Sequence, residues 1–179
     1  MVKTDEEILI LFKSTNKSEL AFGMLLDKYH QKLYWHIRRI VISHDDADDI
    51  SQNTWIKIWE NLNSFKGESK FYTWIYRIAT NEAFTFLNKK KMHVDIDQPS
   101  MELAEKLTAA NYFNGNTAEL KLQQAILTLP EKQRIVFNMK YYENIKYEEM
   151  SEILETSVGA LKASYHHAVK KIEEFIQKN

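Results

Sequence analysis

Apolar residues recur every three or four positions along most of this chain. Leu20, Met24, Leu25, Tyr29, Leu33, Ile37 and Ile40 form one such series, and Val158, Leu161, Tyr165, Ala168, Ile172 and Ile176 form another. A period near 3.6 turns one helix face toward a core, whereas a strand needs strict alternation. The spacing therefore predicts an all-α protein. Punctuation agrees, since 179 residues hold only 4 glycines and 2 prolines, too few for a turn-rich β sandwich or barrel.

Capping residues locate the helix ends. Thr4 followed by Glu7 reads as a capping box opening a short helix with Ile8, Leu9, Leu11 and Phe12. Lys17 to Val41 reads as one long helix. Ser43 with Asp46 caps the next, which carries Ile50, Trp55, Ile58, Trp59 and Leu62, and the acids at 45–49 stand where the helix dipole favours negative charge. Gly67 marks a loop before a helix from about Lys70 to Lys90. The periodicity breaks over residues 92–117, where Pro99, Gly115 and the acids Asp95, Asp97, Glu102 and Glu105 suggest a flexible acidic linker. Two small helical domains are expected, 1–91 and 118–179. In the second, Pro130 takes a first helical position before Glu131–Tyr142. Lys146–Leu154, the turn Glu155–Ser157 and a helix from Val158 to about Ile176 have the spacing of a helix-turn-helix.

Several function classes fall away. The absence of cysteine excludes disulfide scaffolds, thiol nucleophiles and cysteine-ligated metals. No dinucleotide, P-loop or HExxH motif is present. The 6 histidines are scattered, and His30 and His36 fall on different helix faces, as structural or surface residues do. Asp45-Asp46-Ala47-Asp48-Asp49 satisfies a DDxxD pattern that can hold a diphosphate through Mg²⁺. An all-α prenyltransferase needs a longer chain and a second acidic cluster, so a solvated helix start is the better reading. No enzymatic activity, cofactor or metal is expected. The acidic start of the chain is no export signal, and no stretch approaches the roughly 20 apolar residues of a membrane helix. A cytoplasmic protein without membrane insertion is expected.

Two segments have the chemistry of nucleic-acid contact. Opposite the apolar stripe of the last helix lie Gly159, Ala160, Lys162, Ala163, Ser164, His166, His167 and Lys170, small or hydrogen-bonding residues that suit a major groove. Lys140, Lys162, Lys170 and Lys171 are placed to reach phosphates. The helix after Gly67 interleaves Phe71, Tyr72, Trp74, Tyr76, Phe84 and Phe86 with Arg77, Lys89, Lys90 and Lys91, as stacking platforms for unpaired bases do. The competing readings are a solvated helix and a set of core aromatics. A net charge of -1 implies that intrinsic DNA binding is weak and that a partner supplements it.

Five segments stand out in order: Asp49-Ile50-Ser51-Gln52-Asn53-Thr54-Trp55, Phe71 to Asn81, Leu129-Pro130-Glu131-Lys132-Gln133-Arg134, Tyr147 to Met150, and Ser157 to Lys162. Through them the chain, from about Leu20 to Ile176, resembles RNA polymerase sigma factors of the extracytoplasmic-function group, in which such segments recur in this order. The resemblance implies an alternative sigma factor that directs promoter-specific initiation. Core RNA polymerase would dock on Asp49, Gln52, Asn53 and Trp55. The melted −10 strand would meet Phe65, Trp74, Arg77, Asn81, Thr85 and Lys89, which capture a flipped base. The helix-turn-helix with Lys140 would read the −35 duplex, and an anti-sigma factor is an implied partner. Asn53 stands where the family usually has an acid, which implies an altered polymerase contact, and Ser164, His167 and Val169 stand where cations are common, which implies fewer phosphate contacts and a smaller salt slope. The alternatives are an independent helix-turn-helix regulator with a sensing or dimerising N-terminal block and, remotely, the Mg²⁺-dependent enzyme.

Overall fold

The computed structural model describes residues 3–14, 16–93 and 117–178. All regular elements among them are helical: α1 (Asp5–Phe12), α2 (Ser18–Val41), α3 (His44–Asn61), a 3-10 turn (Leu62–Ser64), α4 (Phe71–His93), α5 (Thr117–Leu127), α6 (Glu131–Tyr141), α7 (Tyr147–Leu154) and α8 (Val158–Lys178). The chain divides into two compact units, Met1–Phe86 and Leu87–Asn179, the division falling within α4. The linker expected over residues 92–117 lies, apart from its ends, outside the described residues.

In the first unit the capping box forms as its sequence requires. Thr4 Oγ1 accepts from the Glu7 amide at 3.2 Å while the Thr4 amide donates to Glu7 Oε2 at 2.7 Å. An eight-residue helix is too short to persist alone. Ile8 and Phe12 are buried, and Asp5 accepts from both Lys28 Nζ and the Tyr29 hydroxyl of α2, each at 2.7 Å. Burial pushes the Tyr29 phenol well above its ordinary value, and the bond to Asp5 adds to the shift.

The buried stripe of α2 is Ala21, Leu25, Tyr29, Leu33, Ile37 and Ile40. Leu20, read as its first member, is 59% exposed because Ala21 holds that phase of the helix. Beside this stripe sits one polar cluster. The Thr80 hydroxyl donates to the Tyr76 carbonyl at 2.8 Å, so His36 Nε2, 2.8 Å from the same oxygen, must carry the hydrogen it donates. His36 thus ties α2 to α4 from within the core, its ring 4.7 Å from that of Tyr76.

Between α2 and α3 the chain reverses at Ile42, with φ 70° and ψ -34°. The Ser43 amide donates back to the Val41 carbonyl at 2.9 Å, which closes a γ-turn around Ile42. A β-branched residue at positive φ is strained. Burial of the Ile42 side chain, 7% exposed, holds it there. Ser43 then caps α3, its hydroxyl accepting from the Asp46 amide at 3.4 Å.

In the second unit α8 packs against α5, α6 and α7. Ala125, Ile126, Leu129, Phe137, Ala168 and Ile172 form a buried cluster, with Leu122, Tyr142, Tyr165, Val169 and Phe175 against it. Phe175 fills the position expected for Ile176, which is 41% exposed because it lies one residue beyond the stripe. Pro130 serves as N-cap, one position earlier than expected, and α6 begins at Glu131. The eight-residue α7 is anchored by Met150 and Ile153, buried to 0% and 1% exposure, a contribution of about 1.5–3 kcal/mol for each side chain. Glu155 adopts the left-handed conformation that ends α7, and Ser157 Oγ accepts from the Ala160 amide at 3.3 Å to start α8.

Candidate functional site

Three surfaces collect the residues that the sequence singles out. The first is the outward face of α3, where Asp49, Gln52 and Asn53 are exposed. Trp55 corrects the expectation that it belongs with them. It is 6% exposed, packed edge-on against Phe22 with ring centroids 5.7 Å apart, and it anchors the helix instead of offering its indole to a partner. Helical geometry explains this, since Trp55 lies about 200° around the helix from Asn53. The outward positions belong to two residues that sequence reasoning did not assign there. Ile56 is 56% exposed one turn beyond Gln52 and Asn53, and Trp59 is 39% exposed. Trp59 meets the rings of Phe12 and Phe22 edge-on at 5.5 and 4.9 Å and borders an open groove of about 510 Å³ with Lys13, Asn16 and Asn63. The signal was an apolar residue one step out of the core phase.

The acids that begin α3 do not converge. Asp48 meets His44 at 3.5 Å, and Asp45 is exposed. Among the described residues, no three carboxylate or imidazole side chains are gathered as a metal ion would need.

The second surface lies where α3 ends and α4 begins. Gly67 takes φ 76°, a conformation that favours glycine, and the loop around it brings Phe65 back over α4. The Phe65 ring lies 5.5 Å from Phe71 and 5.2 Å from Trp74. Phe65 and Trp74 are half-buried, whereas Phe71 and Tyr76 are core, so only part of the aromatic series is available for stacking. Beside Trp74 opens a hollow of about 280 Å³ lined by Lys57, Asn61, Ser64, Trp74, Ile78, Asn81 and Glu82. Lys57 Nζ and Glu82 Oε1 close an ion pair at 2.5 Å. The structure thus brings Trp74 and Asn81 together on the hollow, with Phe65 packed against the Trp74 ring but not lining it. Arg77, Thr85 and Lys89 are exposed elsewhere along α4 and do not line the hollow.

The third surface is the helix-turn-helix. Gly159, Ala160, Lys162, Ala163, His166, His167 and Lys170 are exposed on α8, and Ser164 is half-buried. Lys140 and Lys162 converge on one aromatic ring: their ammonium groups stand 5.2 and 5.7 Å from the centroid of Tyr147 at the start of α7. Cation–π attraction holds them. Lys140 also donates to the Ile145 carbonyl at 3.3 Å, and neither lysine has a carboxylate partner among the described residues. Burial raises the Tyr147 phenol, with Tyr165 adding, so the shared ring stays neutral. Tyr147 is a positioning residue that the motif contained but spacing alone could not assign. In the adjoining motif Leu129 is buried, and burial lowers the Arg134 guanidinium below its ordinary value, partly offset by Glu131. This segment therefore supports the domain.

Comparison with known proteins matches residues 25–92 to the family model of Sigma-70 region 2 and residues 119–172 to that of Sigma-70, region 4. Among curated proteins, the ECF RNA polymerase sigma-E factor of Haemophilus influenzae is 30% identical over 184 residues, covering 97% of this chain and 96% of its own. The ECF RNA polymerase sigma factor SigW of Bacillus subtilis is 32% identical over 156 residues, covering 82% and 83%. Two solved structures share the fold. CnrH in complex with the cytosolic domain of CnrY has a TM-score of 0.72 at 20% identity, covering 98% of each chain. The sigma factor RpoE in complex with the anti-sigma factor NepR from Bartonella quintana has a TM-score of 0.69 at 22% identity, covering 87% of this chain and 96% of that one.

Proposed function

The chain belongs to the extracytoplasmic-function sigma factors of RNA polymerase, and we propose from that membership how its surfaces share the work. It is an alternative sigma factor: it binds core RNA polymerase and directs promoter-specific transcription initiation. The independent-regulator and Mg²⁺-enzyme readings are not favoured. Sigma factors are not enzymes, and this chain contributes binding free energy instead of a chemical step.

Residues 1–91 act as the domain for polymerase docking and −10 recognition, and residues 118–179 as the −35 domain. Residues 92–117 connect them. Asp49, Gln52 and Asn53, extended by Ile56 and Trp59, form the docking face for core polymerase. Apolar groups central to a polar rim are what a stable protein interface needs, and that pattern supports this assignment. Phe65, Trp74 and Asn81 capture one unpaired base of the melted −10 strand, while Arg77, Thr85 and Lys89 follow its backbone along α4. The α8 face enters the major groove at −35, with Lys140, Lys162 and Lys170 on phosphates.

The observation that carries this division is the pairing of a base-sized aromatic hollow in one unit with an uncompensated cationic face in the other. An anti-sigma factor is proposed as a partner, since one of the related folds, RpoE, was solved in complex with the anti-sigma factor NepR. Among the described residues no helix is long and apolar enough to cross a membrane, and the site of action is the cytoplasm, where polymerase works.

The test is transcription by bacterial core polymerase with and without this chain on fragmented genomic DNA, mapping RNA 5′ ends. Discrete starts sharing −10 and −35 sequences, lost on Asn81→Ala or Lys162→Ala, are expected. Chain-dependent starts that neither substitution touches would refute the assignment of these surfaces.

A further inference from the structure

Imidazole is the side chain that ordinarily changes charge between about pH 5 and 8. In the first unit the histidines are engaged with neighbours. His36 Nε2 lies 2.8 Å from Thr80 Oγ1, His44 stands between the Tyr34 hydroxyl at 2.6 Å and Asp48 at 3.5 Å, and the His30 ring tilts toward Trp55 with centroids 6.5 Å apart. His166 and His167 of the second unit differ. Both are exposed on α8, their rings are 6.0 Å apart, and among the described residues neither makes a hydrogen bond or an ion pair.

Their place on the helix decides what a proton added there would meet. Lys162, His166 and Lys170 follow one another along a single stripe, one turn apart, and His167 lies beside it, next to Lys170 and Lys171. Through Lys162 the stripe reaches Tyr147 of α7 and Lys140 of α6. The helices packed against α8 supply no counter-charge. Glu119 of α5, Glu131 of α6 and Glu148, Glu149 and Glu152 of α7 make no ion pair with either imidazole, and Glu173 and Glu174 lie beyond Lys170 toward the end of α8. A protonated imidazole here therefore adds to the cationic face without being cancelled by the domain itself.

We propose that His166 and His167 make duplex binding by α8 proton-linked: DNA is bound with uptake of protons at these two imidazoles, so a fall in pH tightens the grip. A neutral imidazole has one N–H and one acceptor nitrogen, whereas the imidazolium donates from both and carries a charge. Phosphates drawn to this face by the neighbouring lysines favour the charged form through Coulomb attraction and charge-assisted hydrogen bonds. Linkage is reciprocal, so a ligand that favours protonation is itself bound more tightly by the protonated protein. Each imidazolium set on a phosphate also releases counterions, which steepens the salt dependence at low pH. Lysines remain charged throughout this range and give neither effect. The proposal rests on the −35 reading of α8.

The experiment uses holoenzyme assembled from core polymerase and the full chain. Its probe is a duplex that carries the −35 sequence upstream of the mapped starts and ends before the −10 element. Affinity is measured at pH 6 and pH 8, each at several salt concentrations. Binding is expected to be about tenfold weaker at pH 8, the size of a one-unit pKa shift at a single imidazole. The log–log salt slope is expected to be steeper at pH 6 by about 1. His166→Gln with His167→Gln is expected to remove both differences, and His166→Lys with His167→Lys to bind at pH 8 at least as tightly as the parent at pH 6. These side chains are exposed, so the variants fold, and comparison at each pH removes polymerase's own response. A parent affinity that does not change with pH overturns the proposal, as does a pH dependence that survives the glutamine pair. Equal retention of the −35 duplex and a scrambled duplex at both pH values is a separate result, because it removes the −35 reading itself and the proposal with it.

Discussion

The hollow beside Trp74 and the face over Tyr147 handle charge in opposite ways. In the first, a lysine is closed onto a glutamate and the remaining polar groups are uncharged, two amides and a hydroxyl. In the second, two ammonium groups share one neutral ring with no carboxylate beside them. The first suits a base edge and its π face, which dissolved salt weakens little. The second suits phosphates, whose displaced counterions return as salt rises. The contrast explains how a chain of net charge -1 can engage DNA. On the proposed division only the surface assigned to the intact duplex has to be cationic, and two lysines without carboxylate partners achieve this locally.

The contrast is broken most severely by Ile153→Ala. This side chain is 1% exposed, and its truncation costs about 2–5 kcal/mol. The expected outcome is loss of duplex −35 binding by holoenzyme, with capture of a premelted −10 strand retained. Paired duplex and premelted probes measure it, and equal losses on both would show that the two surfaces do not act separately. Next in size is Trp74→Ala, which reverses the pattern: capture of the melted strand weakens by about 1–3 kcal/mol while duplex affinity holds. A smaller effect sharpens the comparison. Lys140→Gln with Lys162→Gln makes the salt dependence of duplex binding shallower by about 2 in log–log slope. Melted-strand capture keeps its own slope, and titrations at several ionic strengths read both.

The smallest expected effect concerns stability at high pH. Burial holds the Tyr29 phenol above its value of 10.0 in the unfolded chain. Its contribution to stability is therefore complete below pH about 10 and is lost as pH climbs toward the higher folded-state value. Tyr29→Phe is expected to flatten the alkaline slope of the first unit's unfolding while Tyr147 keeps its share in the second. Thermal melts between pH 8 and about 11 test the sign.

Much of this architecture was legible because local chemistry dictated it. Thr4 with Glu7, Ser43 with Asp46, and the spacing around Glu155–Ser157 encode their caps and turn in side chains close in sequence. The errors were errors of helical phase. Leu20 and Ile176 were assigned by hydrophobicity and Trp55 to the docking face by the resemblance, whereas a rotation of about 100° per residue decides what is inside, and Ala21, Trp55 and Phe175 hold inner positions. The hollow beside Trp74 was not legible at all, because Asn61 bonds back to Lys57 and Ser64 bonds back to Asn61, arrangements that periodicity does not encode. Tyr147 was hidden for a similar reason, since its partners Lys140 and Lys162 come from two other helices.

The γ-turn at Ile42 bears on the docking proposed for α3. Its strain is sustained by a buried side chain, so the reversal between α2 and α3 has one conformation and little play. In the docking proposed for α3, its outward residues are aimed before the encounter, and little conformational entropy is surrendered at that helix. A glycine in place of Ile42 would relieve the backbone and loosen the aim. The free chain would lose the strain, and association would bear the cost of orienting the helix each time the holoenzyme formed.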